Sequence, residues 1–281
     1  MLYNLQTMNA QLNIKDLSEY GLHIVPPSDS SYNEMIWALT QGKSDAAVES
    51  LRPYSVFVKN ASGKPIVACQ LKWELVKPDG KVRIVPSGFI SMERLTLQGV
   101  TGTGDYIIDP NASWFFSPSI INVPQGDNLL RTGDTTQTSL NERGRRMRSE
   151  YLHNVSAELA QCASITVSID GVFFADGTFV GPDSMHLYER VVTSRDARRE
   201  FLQELEQEVK QGKSAKDVFK RVEHLYHKPS GKVPNFTTPE FYEWYKRSVA
   251  GELLSVRKVA GEESALKSAI AQNQTPWTHL K

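Results

Sequence analysis

Two cysteines in 281 residues, Cys69 and Cys162, are all the thiols this chain offers to a disulfide or a metal. They cannot complete a four-coordinate structural zinc site alone, and no Cys-x-x-Cys occurs. A bond between them would close a long loop and add about 4 kcal/mol in the chain-entropy model. Cys69 falls among core-facing residues, however, and both read as buried thiols. Net charge is lacking too, because 32 basic and 32 acidic residues cancel. No global field draws in nucleic acid or an anionic membrane, so neither is an expected partner, and any electrostatic contact needs a local patch. Long apolar runs are absent: Val172-Phe-Phe-Ala175 falls far short of the ~20 residues of a membrane span. The opening, Met1-Leu-Tyr-Asn-Leu-Gln-Thr7, has neither the basic start nor the apolar stretch of a secretory signal. That places the chain in the cytoplasm by default, or outside the cell if a native signal was replaced.

What is present is β-periodicity. Within Ile66–Val76 the alternate positions Val67, Cys69, Leu71, Trp73 and Leu75 predict a buried strand face, with Ala68, Gln70, Lys72 and Glu74 on a wet one. Turn chemistry brackets the strand, Asn60-Ala-Ser-Gly-Lys-Pro65 before it and Pro78-Asp79-Gly80 after it. Tyr54, Val56 and Val58 mark a preceding strand. Five buried side chains at about 1.5–3 kcal/mol each would contribute ~8–15 kcal/mol gross, so this face must be covered, and a second sheet is the expected cover. Residues 86–124 read as further β-structure, with Phe89–Leu97, Tyr106–Ile108 and Trp114–Phe116 as strand candidates and Ser119–Val123 as an edge strand at best. Ile165, Val167 and Ile169 open another strand, punctuated by Asp170-Gly171 and Asp176-Gly177.

The period then switches from 2 to 3.6. Thr193 or Ser194 is predicted to cap a helix carrying Ala197, Phe201, Leu205 and Val209, which Gly212 stops. Ser214 starts another, and Thr238-Pro239 a long third one with Phe241, Trp244, Tyr245, Val249, Leu253 and Val256 at helical spacing. A short helix is predicted near Glu262–Ile270. The fold class is therefore α+β, an antiparallel β-sandwich followed by a helical C-terminal region. Residues 1–50 read as an N-terminal segment with one short helix bearing Met35, Ile36 and Leu39 and stopped by Gly42. Residues 51–183 read as the sandwich, with a long polar loop over 125–150 and a helix over Tyr151–Cys162, and 184–281 as the helical region.

Chemical motifs are scarce. Gly42-Lys-Ser44 and Gly212-Lys-Ser214 fail as phosphate loops, because Trp37 and Gln207 stand where the earlier glycine is needed. No Gly-x-Ser-x-Gly elbow occurs. The nearest approaches to metal ligands are His224 with His227, one helical turn apart, and Asp176 with Asp183 around a hairpin; a solvated helix end and plain turn chemistry explain both, so no metal or cofactor is expected. Arg143, Arg145, Arg146 and Arg148 form the one dense cluster of a single sign. They read first as a solvated loop, with an arm for phosphates or an acidic partner as the functional alternative. Trp114 and Phe116 read first as core, with a contact surface as the alternative. The Phe241, Trp244 and Tyr245 group reads as packing.

The run Val56-Phe-Val-Lys-Asn-Ala-Ser-Gly-Lys-Pro-Ile66, with Leu71-Lys-Trp73 and Pro78-Asp-Gly-Lys81, resembles the opening of bacterial immunoglobulin-like β-sandwiches of the FxLyD and LEA-like type. The segment Ile169–Thr178 looks like the closing hairpin of bacterial proteins that share this opening. The resemblance implies a fold and brings no catalytic residue. The expected function is a non-catalytic binding or structural module, joining a protein partner or a second copy of itself through the sandwich surface or the 125–150 loop. The alternative is an enzyme with a motif-less site between the sandwich and the C-terminal helices.

Overall fold

The structure, a computed structural model, describes residues 11–43, 46–96, 106–118, 142–228 and 238–281. The chain is mixed α/β, with two sheets and with most of its helices in the C-terminal half. Two compact units divide it. The first takes the described residues of Met1–Ile90, Tyr106–Ala175 and Phe179–Met185; the second takes those of Ser91–Asp105, Asp176–Thr178 and His186–Lys281.

Two sheets build the first unit. The larger runs β1 (Gln11–Lys15), β7 (Ser164–Phe174), β4 (Ile66–Val76), β5 (Val82–Ile90), with β8 (Phe179–Val180) also paired to β7. The smaller runs β2 (Leu22–Val25), β3 (Val56–Asn60), β6 (Ser113–Phe116). Both sheets feed one contiguous core, which takes Ile24, Val58 and Phe116 from the smaller and Leu71, Trp73 and Val167 from the larger. Among the described residues three helices join it: α1 (Tyr32–Thr40) through Tyr32, Ile36 and Leu39, α2 (Ala46–Leu51), a second helix where only one was expected before residue 51, through Val48 and Leu51, and α4 (Glu142–Ala160) through Leu152 and Leu159.

β4 lies between β5 and β7, antiparallel to both. Its predicted inner face is buried at every position, and the Trp73 indole N–H donates to the Tyr54 carbonyl at 3.1 Å. The other face departs from expectation. Lys72 and Glu74 are half-buried, but Ala68 and Gln70 are buried outright. Gln70 tolerates this because its amide donates to the Leu71 and Ser87 carbonyls, each at 3.1 Å, leaving no donor stranded. The Pro78-Asp79-Gly80 turn forms as read, closed by the Lys77 amide on the Lys81 carbonyl at 2.8 Å.

Four expectations are corrected. The larger sheet is not antiparallel throughout: β1 runs parallel to β7, Gln11 opposite Ser164 and Lys15 opposite Ser168. A pairing between strands so far apart in sequence leaves no local turn signal. The residues ahead of 51 also supply β2, which pairs antiparallel with β3. Next, Asp170-Gly171 is no turn. β7 runs through it with a register shift against β4, so Asp170 is the extra residue of a bulge. Asp170 is 1% exposed, and its carboxylate accepts from the Ser184 amide (3.1 Å), the Ser184 hydroxyl (2.5 Å) and the Met185 amide (2.7 Å). The bulge turns a carboxylate inward to hold the chain after β8. Third, the strand over Phe89–Leu97 stops at Ile90 and gives way to a short helix, α3 (Met92–Thr96). Fourth, the 125–150 loop is helical from Glu142 as part of α4. Its Arg and Glu residues favour helix without forming an apolar stripe, so periodicity cannot reveal it. The rest of that loop, and Ser119–Val123, lie outside the described residues.

The second unit packs α3 with α5 (Leu187–Lys210), α6 (Ala215–Tyr226), α7 (Pro239–Ala260) and α8 (Glu262–Gln274). Phe201, Leu205, Val218, Phe219, Val222, Val249 and Leu253 meet in its core. Ser214 caps α6 by accepting the Asp217 amide at 3.2 Å, as its position suggested. α5 begins earlier than predicted, at Leu187, and Ser194 is buried inside it rather than capping it.

Trp73→Ala is expected to lower stability by about 3–5 kcal/mol, the range for emptying a large aromatic site. Trp73→Phe should lose less. Urea unfolding followed by β-sheet circular dichroism measures both, and a loss under 1 kcal/mol would contradict the central place given to β4.

Candidate functional site

In the first unit, one side of α1, from Asn33 to Thr40, forms a wall of a polar hollow. Tyr32, Ile36, Leu39 and Thr40 are the buried stripe of the helix. The Tyr32 hydroxyl reaches the Arg52 carbonyl at 3.0 Å and the Ser55 carbonyl at 3.1 Å, and its ring meets Phe57 edge-on at 5.5 Å. Burial pushes the Tyr32 phenol well above its ordinary pKa, so it remains a donor. This lock fixes α1 against the turn that carries Arg52.

Trp37 stands off the stripe and is 68% exposed, unusual for the largest side chain. The helix ends beside it with Gln41 and Gly42 at φ 51° and 72°, conformations that glycine adopts without strain and glutamine only rarely. Asn33, Trp37, Gly42, Lys43, Glu49 and Arg52 surround a hollow of about 290 Å³. Arg52 donates to the Asn33 side-chain oxygen at 2.6 Å, which orients the amide so that its NH₂ remains available. The hollow thereby presents an aromatic face, an amide, two cations and one carboxylate.

A second surface feature lies on β5. Among the described residues only β4 pairs with this strand, which makes it an edge of the sheet. Arg83, Val85, Ser87 and Phe89 lie opposite the inner residues of β4, and Phe89 packs on Trp114 and Phe116 at ring distances of 5.2 and 6.2 Å. Arg83 instead reaches Glu158 on α4, whose carboxyl it holds below the usual range by hydrogen bonding. The alternate residues Val82 and Ile84 face out, 59% and 40% exposed.

In the second unit, charge ties the helices together. Lys246 on α7 is 7% exposed and donates to Glu200 at 2.9 Å and Glu204 at 2.6 Å on α5. Tyr242 donates to Glu200, and Arg221 on α6 reaches Glu204 at 3.2 Å and Glu208 at 3.0 Å. The Tyr242 hydrogen bond, followed by Lys246, holds the Glu200 carboxyl below its ordinary pKa. Burial alone would raise Glu208, but Lys213 and Arg221 outweigh it and hold that carboxyl low. Burial opposes the Lys246 charge too, and its hydrogen bonds to Glu204 and Glu200 carry the pKa upward nonetheless.

Beside this lattice is a cleft of about 230 Å³ between α3, α5, α7 and α8, with apolar walls that include Phe201, Leu202 and Val256. Arg198, 5% exposed, crosses it to Glu252 at 2.9 Å and Gln272 at 3.2 Å, and its Nε–H finds no acceptor among the described residues. The cation already has its carboxylate at 2.9 Å. The arrangement binds helices together.

The residues singled out from sequence do not converge. Arg143, Arg145, Arg146 and Arg148 lie in the first two turns of α4, where Arg146 is exposed and pairs with Glu150 at 3.7 Å. Phe116 is buried and Trp114 half-buried, packed against Phe89 and Tyr106. Asp176 accepts the Thr178 amide at 3.0 Å in its turn. Asp183 has φ 56° and donates its amide to the Asp170 carbonyl. His224 and His227 are exposed near the end of α6. Among the described residues, no three His, Cys, Asp or Glu side chains gather closely enough to hold a metal ion. Cys69 and Cys162 are free and buried, and burial pushes both thiols up in pKa. Among the described residues no helix is long and apolar enough to cross a membrane. Sequence reasoning passed over Trp37, Val82 and Ile84. The available signal was a large apolar side chain off the stripe of its helix, and apolar residues in both alternating sets of one strand.

No protein-family model matches the chain, and comparison with curated proteins and with solved structures likewise gives no match.

Carboxylates held low contribute stability that is present above their unfolded pKa and lost as pH falls through the folded one. For Glu200 and Glu208 the loss begins below the ordinary glutamate value of about 4.3. The urea midpoint of the helical signal should therefore drop between neutral pH and pH ~3. Lys246→Met is expected to lower the midpoint at neutral pH and flatten this acid limb. An unchanged limb in the variant would show that the cation does not hold Glu200.

Proposed function

We propose that this chain is a non-catalytic assembly module whose sheet unit joins a second copy of itself along the edge of β5. The same reading takes the two-sheet body as an immunoglobulin-like sandwich, on the strength of the alternation and turns over Val56–Lys81. The observation that carries the proposal is the exposure of Val82 and Ile84 on an edge strand. Such an edge presents unpaired backbone donors and acceptors, and outward valine and isoleucine add apolar surface that water disfavours.

Two copies related by a two-fold axis can pair these strands antiparallel, which places both Val82 and both Ile84 side chains on one shared face. Pro86 has no amide N–H, so the ladder is confined to the stretch from Val82 to Val85. The pairing is short, and association of modest affinity follows. The neighbouring Lys72–Glu74 ion pair at 3.2 Å supplies both signs of charge beside the apolar strip, which suits a self-complementary contact.

Sedimentation equilibrium of the full chain from micromolar to millimolar concentration is expected to show a monomer–dimer equilibrium. The double variant Val82→Lys, Ile84→Lys should weaken it at least about tenfold, equivalent to ~1.4 kcal/mol, with its thermal unfolding preserved because both side chains are exposed. A wild-type chain that stays monomeric throughout, or a variant that dimerises equally well, overturns the proposal.

A further inference from the structure

We infer that the hollow beside Trp37 is a binding site for an acidic saccharide, a sugar ring carrying a carboxylate. The inference is independent of the β5 edge. Each wall group asks for a different part of one ligand. The exposed indole offers a flat apolar face, which the C–H face of a pyranose covers and which is otherwise left in water. Asn33, oriented by Arg52, offers amide donors at a fixed angle. Glu49 offers an acceptor and so calls for ligand hydroxyl donors. Lys43 and Arg52 against Glu49 leave one positive charge, which calls for one negative charge on the ligand.

A phosphate ligand fits less well. The backbone amides at the helix end are already engaged, Gly42 on the Trp37 carbonyl at 3.3 Å and Lys43 on the Thr40 carbonyl at 2.9 Å. Among the described residues at the end of α1, no cradle of free N–H groups remains for a phosphate. Glu49 would also repel a doubly charged group. A polyol with one carboxylate satisfies every group named and leaves no charge unmatched. Trp37, Asn33 and Arg52 share one preformed wall, since the buried Tyr32 hydroxyl fixes α1 to the Arg52 turn.

The test follows the Trp37 indole N–H by ¹H–¹⁵N NMR on the full chain, the resonance being assigned by its loss in Trp37→Phe. The probes are a galacturonate oligomer, a neutral malto-oligosaccharide of equal length and adenosine monophosphate. The galacturonate oligomer is expected to shift the resonance saturably and to bind more tightly than the neutral sugar. Trp37→Ala should weaken binding about tenfold, read from the remaining shifted amides. Lys43→Gln should bring the acidic sugar to the level of the neutral one. Equal binding of both sugars by the wild-type chain overturns the acidic assignment, and tighter binding of the nucleotide overturns the saccharide. No shift with any probe, or binding indifferent to Trp37→Ala, overturns the site. Both side chains are on the surface, so the variants keep the fold, which circular dichroism confirms.

Discussion

Trp73 has no exposed surface, and its one polar atom is satisfied by the Tyr54 carbonyl. It stands in β4, the strand flanked by both long partners, and its face is where the two sheets meet α1, α2 and α4 in one core. Hydrophobic burial at that strand sets the conditions for the rest of the first unit. Whatever covers β4 must present apolar side chains at matching height, which is why Val58, Phe116, Val167 and Leu152 come together from segments far apart in the chain. The polar exceptions obey the same constraint. Gln70, Asn60 and Asp170 are buried, and each is accepted only because its hydrogen bonds are met locally, Asn60 by the Lys64 and Ile108 carbonyls and by Ser62.

The second unit meets the same demand differently. Its helices are amphipathic, and their apolar stripes meet in a core flanked by a lattice of Lys246, Arg221, Glu200, Glu204 and Glu208. Because the carboxylates remain partly exposed, these ties are individually modest and sensitive to acid, in contrast to the apolar core beneath them. Arg257 shows the same economy of contact. It lies over the Phe219 ring at 5.0 Å and reaches Glu223 at 2.7 Å, so one side chain covers the core and pairs a charge.

Both surface readings begin from side chains that the cores leave out. Trp37 falls on the outer side of α1 because the stripe of that helix is already filled by Tyr32, Ile36, Leu39 and Thr40. Val82 and Ile84 face out because Val85 and Phe89 take the inner side of β5. In neither place does folding need the exposed group, which is the ground for assigning it to something outside the chain.

The strands around β4, its hairpin with β5 and the helical character after Pro182 are legible in the residues alone, because period, caps and turn residues are local properties, whereas the pair expected around Gly63 separates into two sheets. The Asn60, Asp79 and Ser214 turns and caps form where their residue types put them. Arg143 to Arg148 and the Asp170-Gly171 pair misled for the same reason, since a helix without an apolar stripe and a bulge inside a strand look locally like loop and turn. Long-range packing settles that β1 lies parallel beside β7, that Asp170 turns inward to hold Ser184 and Met185, and which of the apolar residues stay outside. Those outcomes depend on which distant segments compete for one buried surface, and no local window contains that competition.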